Sequence, residues 1–347
     1  MKIMLFSDIH WSTSSSMITM RGEKYSKRLE LLIKSLNWIE DLSLKLGCER
    51  EICLGDFCDK SVLTDEEISA LKEIKWNDLK KYFIIGNHES GQHDLKFSTV
   101  NALDNPNIKI ISKPTRIDSE KNTYYFLPYI VESDREDLKT ILERIDQDLP
   151  PKQNKIIFSH NDIAGQNYAG FISKIGFSIK EIEDNCDLYL NGHLHNQQWV
   201  TKKILNVGSS SAHNFTNDSI VYKYGVWVLD TDTLKLEFYE NPYSLNFYKF
   251  EILVEKDLFK LDKIKDNSCL SIKLTSDLYE KTKEYLDMKK DKILAERLTP
   301  IKSVENTNSE VSIQDLQSDH LEMLIKFCKE TLENSDILNT ELAEICK

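Results

Sequence analysis

Five short apolar runs lie in the first 195 residues of the chain, and each is followed by polar residues that can bind metal ions. The runs cover 3–6, 52–54, 82–85, 156–158 and 188–190. A continuous apolar run of this length is typical of a strand that is buried on both faces. Loops at the carboxyl ends of such strands are held by the sheet and stay open to solvent. The pattern therefore predicts strands whose following loops can converge on one site.

Helical periodicity lies between these runs. An apolar stripe through Leu29, Leu32 and Leu36 predicts a helix over 23–46. A second stripe through Leu31 is compatible with packing inside the chain or with contact between two copies, and it motivates the prediction of a homodimer. Strands that alternate with helices indicate βαβ units and a mostly parallel sheet with both faces covered.

Other elements follow from local signals. Thr64 is the predicted N-cap of a helix that ends near residue 74. Further helices are predicted at 134–145, 277–291, 313–332 and 336–345. Residues 107–129 are predicted to form short extended pieces separated by turns. Further strands are predicted at 204–207, 224–229, 234–239, 270–275 and 301–304. These elements predict a first domain over 1–245, a small α/β domain over 246–304, and a linker with C-terminal helices over 305–347.

Composition limits the class of protein. With 347 residues, 40% of them hydrophobic and 29% charged, the chain is typical of a globular protein. No apolar run is long enough for a membrane span, and the first run is too short for a secretory signal, so we expect a cytoplasmic protein without membrane contact. The seven cysteines form no C-x-x-C pair, which favours free thiols.

The net charge of −12 bears on the substrate. A protein that binds DNA alone through its phosphates usually has a basic face. Either the substrate is therefore not DNA, or metal ions and a partner protein supply positive charge.

The polar residues after the five runs match the chemistry of a two-metal centre. Two divalent ions about 3.5 to 4 Å apart need carboxylate and imidazole ligands, with a carboxylate shared between them. We expect one ion between Asp8, His10, Asp56 and His195, and the other between Asp56, Asn87, His160 and His193. Such mixed ligands favour Mn²⁺ over Mg²⁺ alone.

The remaining polar residues receive other roles. His88 is left to protonate the leaving oxygen of a phosphoester. Asp59 is expected either to position a histidine or its loop from behind the metal ligands, or to be an exposed loop acid. His93 and His213 are expected at the surface and receive no role.

These residues carry a family resemblance. The set Asp8-x-His10, Gly55-Asp56-x-x-Asp59, Gly86-Asn87-His88-Glu89, His160 and Gly192-His193-x-His195 resembles the calcineurin-like metallophosphoesterase superfamily over roughly residues 1–240. The resemblance implies an α/β fold, a four-layer sandwich of two mostly parallel or mixed sheets flanked by helices. Protein Ser/Thr phosphatases usually have Gly and Arg-Gly where this chain has Trp11 and Lys60-Ser61, which disfavours that branch.

A second resemblance concerns the rest of the chain. Asn206-Val207-Gly208-Ser209, the segment 238–243 and the small α/β unit resemble SbcD-type DNA nuclease subunits, including those of tailed phages. Glu89 stands where Asp is commoner in that group. The resemblance implies a DNA exonuclease or endonuclease of repair and recombination, with a small α/β capping domain and two divalent ions. Mn²⁺ is expected first, with Mg²⁺, Fe²⁺ and Zn²⁺ as alternatives.

The same resemblance implies partners. It predicts a homodimer in complex with an SbcC-type coiled-coil ATPase, to which the C-terminal helices bind, in the cytoplasm or in the host cytoplasm if the source is a phage. The alternative is a stand-alone phosphatase or cyclic-nucleotide phosphodiesterase. A binding scaffold that has lost catalysis is disfavoured by the complete ligand set.

Overall fold

Two six-stranded sheets form most of the structure, a computed structural model that describes residues 1–13, 18, 20–91, 94–147, 149–168, 171–216 and 219–301. The helices of these residues are α1 (Lys27–Lys45), α2 (Asp65–Leu71), α3 (Leu138–Asp146), α4 (Ile179–Asn185) and α5 (Tyr279–Asp287). The strands are β1 (Lys2–Phe6), β2 (Arg50–Cys53), β3 (Lys80–Ile84), β4 (Ser90–Gly91), β5 (Asp94–Ser98), β6 (Ile108–Ile111), β7 (Thr115–Asp118), β8 (Asn122–Leu127), β9 (Asn154–Ser159), β10 (Ile163–Ala164), β11 (Asn167–Tyr168), β12 (Phe171–Ile172), β13 (Phe177–Ser178), β14 (Leu188–Asn191), β15 (Gln198–Trp199), β16 (Ile204–Asn206), β17 (Gly225–Asp230), β18 (Lys235–Glu240), β19 (Asn246–Ile252), β20 (Ser268–Thr275) and β21 (Ile293–Ile301).

The strand order places parallel strands at the centre of each large sheet. The first sheet has the order β18-β17-β1-β2-β3-β6 and is parallel from β1 to β6, with β17 and β18 antiparallel at one edge. The second has the order β15-β16-β14-β9-β8-β7 and is parallel from β16 to β8. A separate all-parallel sheet has the order β19-β20-β21.

The apolar runs are continuous because each central strand is covered on both sides. In β1, Ile3 and Leu5 belong to the core between the two large sheets, whereas Met4 and Phe6 belong to the core that includes α1 and α2. A third core joins the other face of the second sheet to α3 and α4. Since successive strand residues point to opposite faces, one run serves two cores. The layers are helix, sheet, sheet and helix, which confirms the predicted fold class.

Helix α1 is shorter than predicted, for a local reason. It begins at Lys27 because the Ser26 hydroxyl accepts a hydrogen bond from the Leu29 N–H group at 3.3 Å and caps the helix. Leu31 of the second stripe packs in an apolar cluster with Phe247 and Cys269 of the small sheet. The second stripe is therefore covered in part by the chain itself, and the homodimer stays a prediction.

Several other boundaries differ from the predictions. Thr64 caps α2 as predicted, through a reciprocal capping box with Glu67, but α2 ends at Leu71 and not near residue 74. The helix predicted at 134–145 begins only at Leu138, after three non-helical residues. The helix predicted at 277–291 is limited to Tyr279–Asp287, with single turns of 3-10 helix at 276–278 and 290–292. The strand predicted at 301–304 starts earlier than predicted, since β21 pairs with β20 from Ile293 to Ile301. Strand β19 and helix α4 were not predicted.

Some predictions fall beyond these residues or stay open. Residues 302–304, the linker and both C-terminal helices lie outside the described residues. The domain boundaries after residues 245 and 304 stay predictions. In the described part of the chain no helix is long and apolar enough to cross a membrane. The cysteines described there are all free and buried, as expected for thiols that pack in a core.

Candidate metal centre

The loops that were predicted to converge follow parallel strands of both large sheets. Strands β1, β2 and β3 are parallel neighbours in the first sheet, and β9 and β14 are parallel neighbours in the second. The sheets meet at these carboxyl ends, where the Nδ1 atom of His160 donates a hydrogen bond to the carbonyl oxygen of Leu54 at 2.7 Å. The predicted ligands from five distant loops are thereby brought together.

Three of the predicted ligands have a left-handed backbone conformation. Asp8, His10 and Asp56 have φ angles of 51°, 49° and 48°. Backbone hydrogen bonds hold the first two, from the Asp8 N–H group to the Gly55 carbonyl oxygen at 3.1 Å and from the His10 N–H group to the Asp56 carbonyl oxygen at 3.0 Å. Uncommon backbone conformations of this kind concentrate at functional sites, where the surrounding structure enforces them.

Two glycines are required by the closeness of the loops. A Cβ atom on Gly55, whose φ is 105°, would lie 2.3 Å from the His160 ring. A Cβ atom on Gly86 would lie 2.1 Å from a carboxylate oxygen of Asp56. Each glycine therefore leaves the space that a neighbouring predicted ligand occupies.

Glu89 joins two of the loops. Its carboxylate accepts hydrogen bonds from the N–H groups of Cys58 at 2.9 Å and Gly86 at 2.8 Å. The side chain is fully buried, and burial, followed by the nearby Asp56, raises the pKa of Glu89 to about 8. Glu89 therefore fixes the loop after β2 against the loop after β3.

The first group of ligand atoms consists of Asp8, His10 and His195. The Nε2 atoms of His10 and His195 are 3.0 Å apart, and the Nε2 atom of His195 is 3.8 Å from a carboxylate oxygen of Asp8. Asp8 and His10 are completely buried. Three atoms that can bind a metal ion thus face one another.

The second group consists of Asp56, His160 and His193, with Asn87 beside them. The Nε2 atom of His160 is 3.1 Å from a carboxylate oxygen of Asp56 and 3.1 Å from the amide oxygen of Asn87. The Nδ1 atom of His193 is 3.4 Å from the same His160 nitrogen. The structure thus brings every predicted ligand into one of two adjacent groups, although their roles as ligands, and the sharing of Asp56, stay predictions.

The electrostatics of the two groups fit divalent cations. Neither carboxylate oxygen of Asp8 has a hydrogen-bond donor among the described residues. Burial raises the pKa of Asp8 to about 7, and burial followed by the neighbouring His10 lowers the pKa of His195 to about 3. A buried carboxylate without a donor is costly, and a cation bound by its oxygens removes that cost. The burial and charge of Asp8, His10 and His195 therefore fit their predicted role as ligands of a cation.

The pair of Asp56 and His160 behaves differently. Burial opposes the charge of Asp56, but the neighbouring His160 holds its pKa well below the usual range. Burial likewise disfavours the protonated form of His160, yet Asp56 raises its pKa to about 9. Asp56 is therefore an ionised carboxylate, the form that binds metal ions.

The predicted acid and its neighbour lie beside the first group. The Nδ1 atom of His88 donates a hydrogen bond to the backbone carbonyl oxygen of Asp59 at 3.0 Å, and the His88 side chain is 42% exposed. The Asp59 carboxylate accepts a hydrogen bond from the Nδ1 atom of His10 at 3.0 Å. Asp59 thus contacts a histidine, as the first of its two predicted roles requires.

The prediction of His213 at the surface is wrong. Its side chain is 14% exposed and stacks on His10 with ring centroids 4.4 Å apart. Its ring nitrogens lie 3.3 Å from Asp59 and 2.9 Å from the buried guanidinium group of Arg28. Nothing in the local sequence marks His213. Arg28, however, stands four positions before Leu32 on the apolar face of α1, and a charged residue at such a position is a usable signal that it has a buried partner.

Asp162 was also missed. It follows His160 by two positions, and its carboxylate lies 3.2 Å from the Nε2 atom of His193. Burial opposes its charge, but the hydrogen bond from His193 lowers the pKa of Asp162. Asp162 therefore orients the His193 ring so that Nδ1 faces the second group. His93 lies outside the described residues.

Carboxylates and imidazoles that converge at the strand ends of such a sandwich, with an exposed imidazole beside them, define a metal-dependent hydrolase of phosphate esters. Residues 1–197 match the family of Calcineurin-like phosphoesterases, and the chain belongs to this family. The family has a dinuclear metal centre, for which the groups around His195 and His160 are the candidates. A third group of possible ligand atoms, His10, Asp59 and His88, shares His10 with the first.

Solved structures with a similar chain are distant in sequence. An archaeal phosphodiesterase has 11% identity and a TM-score of 0.34, with 69% of this chain and 99% of that chain covered. TT1561 of Thermus thermophilus has 13% identity and a TM-score of 0.41, with 69% and 98% covered. AQ665 of Aquifex aeolicus, a protein of unknown function, has 16% identity and a TM-score of 0.26, with 60% and 89% covered. No curated protein matches the chain in sequence.

Proposed function

We propose that this phosphoesterase is a Mn²⁺-dependent DNA nuclease, the hydrolytic subunit of a complex with an SbcC-type coiled-coil ATPase that processes DNA ends in repair and recombination. The observation that carries the proposal is a basic face on the small sheet of β19, β20 and β21. This face contacts the segment from His213 to Phe215, which leads away from the candidate metal centre. The proposal includes a homodimer, which light scattering at micromolar protein concentration tests, and a location in the cytoplasm.

The small sheet is joined to the metal centre by a short segment. Two positions after His213, the ring of Phe215 stacks on Phe247 of β19 with centroids 4.9 Å apart. The ammonium group of Lys249 lies over the same Phe215 ring, 5.5 Å from its centroid. A substrate that extends from the metal centre along this segment would therefore reach the β19 face of the small sheet.

That face carries more positive than negative charge. Strand pairing aligns Lys249 with Ser271 and Arg297, and the next row on the same face aligns Glu251 with Lys273. Lys273 and Arg297 are exposed. The opposite face packs on α5 and the 3-10 helix of residues 255–263. The row of Phe247 and Cys269 on the β19 face is buried, whereas Lys273 and Arg297 lie in its exposed rows. Lysine and arginine there suit the phosphates of a nucleic acid strand, which a small diester does not extend far enough to reach.

The residues of the centre support hydrolysis of a phosphodiester. When bound, two divalent ions supply Lewis-acid stabilisation of the charge on the phosphoryl oxygens. The Asp59 carbonyl oxygen accepts the proton on His88 Nδ1, so it is the imidazolium form of His88 that carries a second proton, on Nε2, to donate to the leaving oxygen. Mixed oxygen and nitrogen donors support Mn²⁺ as the ion.

The second candidate is a stand-alone phosphatase or small-molecule phosphodiesterase. The net charge of −12 favours it, because long-range attraction of a DNA polyanion is weak for an acidic protein. It needs only the metal centre and not the basic face.

Two substrates separate the candidates. The purified protein with Mn²⁺ is assayed on end-labelled linear DNA and on bis(p-nitrophenyl) phosphate. Substitution of both Lys273 and Arg297 by Gln should lower DNA cleavage and reduce the slope of its salt dependence by about 1 for each lost phosphate contact, with the small diester hydrolysed as before. Lys281→Gln, on the helical side of the sheet, is the matched control.

Each outcome bears on one candidate. Hydrolysis of the small diester without cleavage of DNA would favour the second candidate. Asp56→Ala should lose both ions and both activities, because this carboxylate is expected to be shared. Full activity in that variant, or after exhaustive chelation, would contradict a two-metal centre.

A further inference from the structure

We propose that Asn191 and Asn161 are positioning residues, whose side chains continue the pairing of β8, β9 and β14 past the strand ends and so set the separation of the His160 and His193 rings. The inference rests on the metal centre of the proposed function. It adds two residues that are not ligands and that act only through the backbone of the ligands beside them.

The backbone pairing of β9 with β14 ends just before the predicted ligands. Its last aligned pair is Ser159 with Asn191, and the Gly192 N–H group then donates to the Ser159 carbonyl oxygen at 2.9 Å. The next N–H group of the chain, that of His160, faces the other neighbouring strand and donates to the Leu127 carbonyl oxygen at 3.1 Å. Beyond this point the bonds toward β14 are made by a side chain instead.

The Asn191 side chain supplies the next step of the ladder. Its Oδ1 atom accepts a hydrogen bond from the Asn161 N–H group at 3.0 Å, and its Nδ2 atom donates to the Asn161 carbonyl oxygen at 2.8 Å. Only one orientation of the amide satisfies both contacts, because its oxygen accepts and its nitrogen donates. Nδ2 also donates to Oδ1 of Asn206 on β16 at 3.2 Å, and all three asparagines are completely buried. Asn191 therefore ties the segment after β9 to β14 where backbone pairing has stopped.

The Asn161 side chain makes the corresponding connection toward β8. Its Oδ1 atom accepts a hydrogen bond from the Ile130 N–H group at 2.9 Å, and its Nδ2 atom donates to the Pro128 carbonyl oxygen at 3.0 Å. The N–H group of Tyr129, which lies between them, donates instead to the Ile85 carbonyl oxygen of the first sheet at 3.0 Å. The segment that carries His160 is thus held from both sides by asparagine side chains.

The consequence is a defined separation within the second group of ligand atoms. His160 directly precedes Asn161, and His193 follows Asn191 by two positions. Their ring atoms Nε2 and Nδ1 are 3.4 Å apart. Groups of such a site must be held to within about 0.5 Å, and a misplacement of about 1 Å can lower a rate about 10²-fold.

The first group depends less on these asparagines. Asp8 and His10 lie on the loop after β1, and their N–H groups donate to the backbone of Gly55 and Asp56 after β2. We therefore expect Asn191 and Asn161 to act mainly on the ion of the second group.

Substitution of Asn191 by Leu keeps a branched side chain and removes its hydrogen bonds. Mn²⁺ is titrated into the full-length, metal-free protein and followed by calorimetry. We expect two binding events in the wild type and a loss of about 10- to 100-fold in affinity for one of them in Asn191→Leu. At saturating Mn²⁺, electron paramagnetic resonance should show magnetic coupling between the two ions in the wild type and weaker coupling in Asn191→Leu.

Asn122→Leu is the matched control. Asn122 is a buried asparagine at the opposite end of β8, where its Nδ2 atom donates to the Tyr124 hydroxyl and to the Thr231 carbonyl oxygen, both at 3.2 Å. Both variants should unfold at a lower urea concentration than the wild type. Only Asn191→Leu should change Mn²⁺ binding, because Asn122 lies far from the ends of the strands that carry the ligands.

A double-mutant cycle assigns the loss to the second group. His160→Ala removes a predicted ligand of that group, and His10→Ala removes one of the first group. In His160→Ala the binding event that remains should be unaffected by adding Asn191→Leu. In His10→Ala the remaining event should be weakened as much as in Asn191→Leu alone.

The failure of this inference can be told from the failure of the proposed function. Wild-type affinity for both ions in Asn191→Leu, an equal loss in Asn122→Leu, or an undiminished loss in the His160→Ala background would overturn the inference and leave the nuclease proposal intact. A wild-type protein that binds no Mn²⁺ would overturn the metal centre and the inference with it. If Asn191→Leu does not fold, as judged by circular dichroism, Asn161→Leu takes its place in the same cycle and decides.

Discussion

Backbone hydrogen bonds between the loops hold Asp8, His10 and Asp56 in left-handed conformations, so the conformational cost of these residues is offset during folding, before an ion binds. A non-glycine residue in this region costs on the order of 1 kcal/mol or more. The loops meet that cost with bonds to each other, including one from the Trp11 N–H group to the Phe57 carbonyl oxygen at 2.7 Å. Folding therefore positions these side chains in advance, so that an incoming ion need not order them.

The proposed role of His88 as the acid can be tested by the choice of leaving group. His88→Ala should slow cleavage of DNA by about 10² to 10⁴-fold, because the alkoxide that leaves needs a proton. Hydrolysis of bis(p-nitrophenyl) phosphate should change far less, since p-nitrophenolate leaves without one. Metal content by mass spectrometry should equal that of the wild type, and a loss of metal would show that His88 is a ligand instead.

Among the elements, α1, β2 and β3 share a buried ionic cluster away from the metal centre. Lys81 lies 3.0 Å from Glu40 and 3.1 Å from Glu51, and all three side chains are at most 2% exposed. Asn77 also donates to Glu51 at 2.8 Å. One lysine cannot neutralise two carboxylates, and burial followed by the nearby Glu51 raises the pKa of Glu40 to about 8. Glu40 is thus the carboxyl that keeps a proton at neutral pH.

Replacing Glu40 by Gln tests this proton. Its pKa is raised in the folded state above the ordinary 4.5, so its stabilising contribution is complete below pH 4.5 and is lost as the pH rises through about 8. From pH 7 to 9, the free energy of unfolding should fall by about 1 kcal/mol more in the wild type than in Glu40→Gln. Urea unfolding of the metal-free proteins measures both values, and equal decreases would place the proton elsewhere.

The elements differ in how far the sequence predicts them. The strands before the five loops are continuous apolar runs because two cores cover them, and that pattern is visible in any one run such as 3–6. Strand β21 is harder to predict, because all its residues are partly or fully exposed and Glu296 and Arg297 interrupt its apolar pattern. Helix α4 has seven residues, too few to show a periodic face.

The metal centre shows the same limit. Its predicted ligands directly follow apolar runs, so local sequence points to them. His213 follows no such run, and what brings it to His10 is the packing of the segment after β16 against α1. Its neighbours Arg28 and Asp59 lie 185 and more than 150 positions earlier in the chain, a separation that no local pattern reports.

For the whole molecule, we propose that residues 311–347 bind the coiled-coil base of the ATPase. Leu321, Leu324, Ile325 and Cys328 share one apolar face by helical spacing, as expected for a helix that lies in a groove. Deletion of 311–347 should leave Mn²⁺ binding and cleavage of short DNA intact and abolish association with the ATPase in a pull-down. Undiminished association would refute this role and favour packing of the segment on the small sheet.

The pairing of β1 with β17 ties the order of synthesis to the assembly of the first sheet. The amino group of Met1 lies 3.0 Å from Asp232, 231 positions later, and β1 pairs along its length with β17. At about 5 to 20 residues per second, a ribosome needs on the order of 10 s or more to release that partner. Until then one edge of an apolar strand is open to other chains. The yield of folded protein should therefore depend on how soon residues 225–240 emerge, more than on the stability of the finished fold.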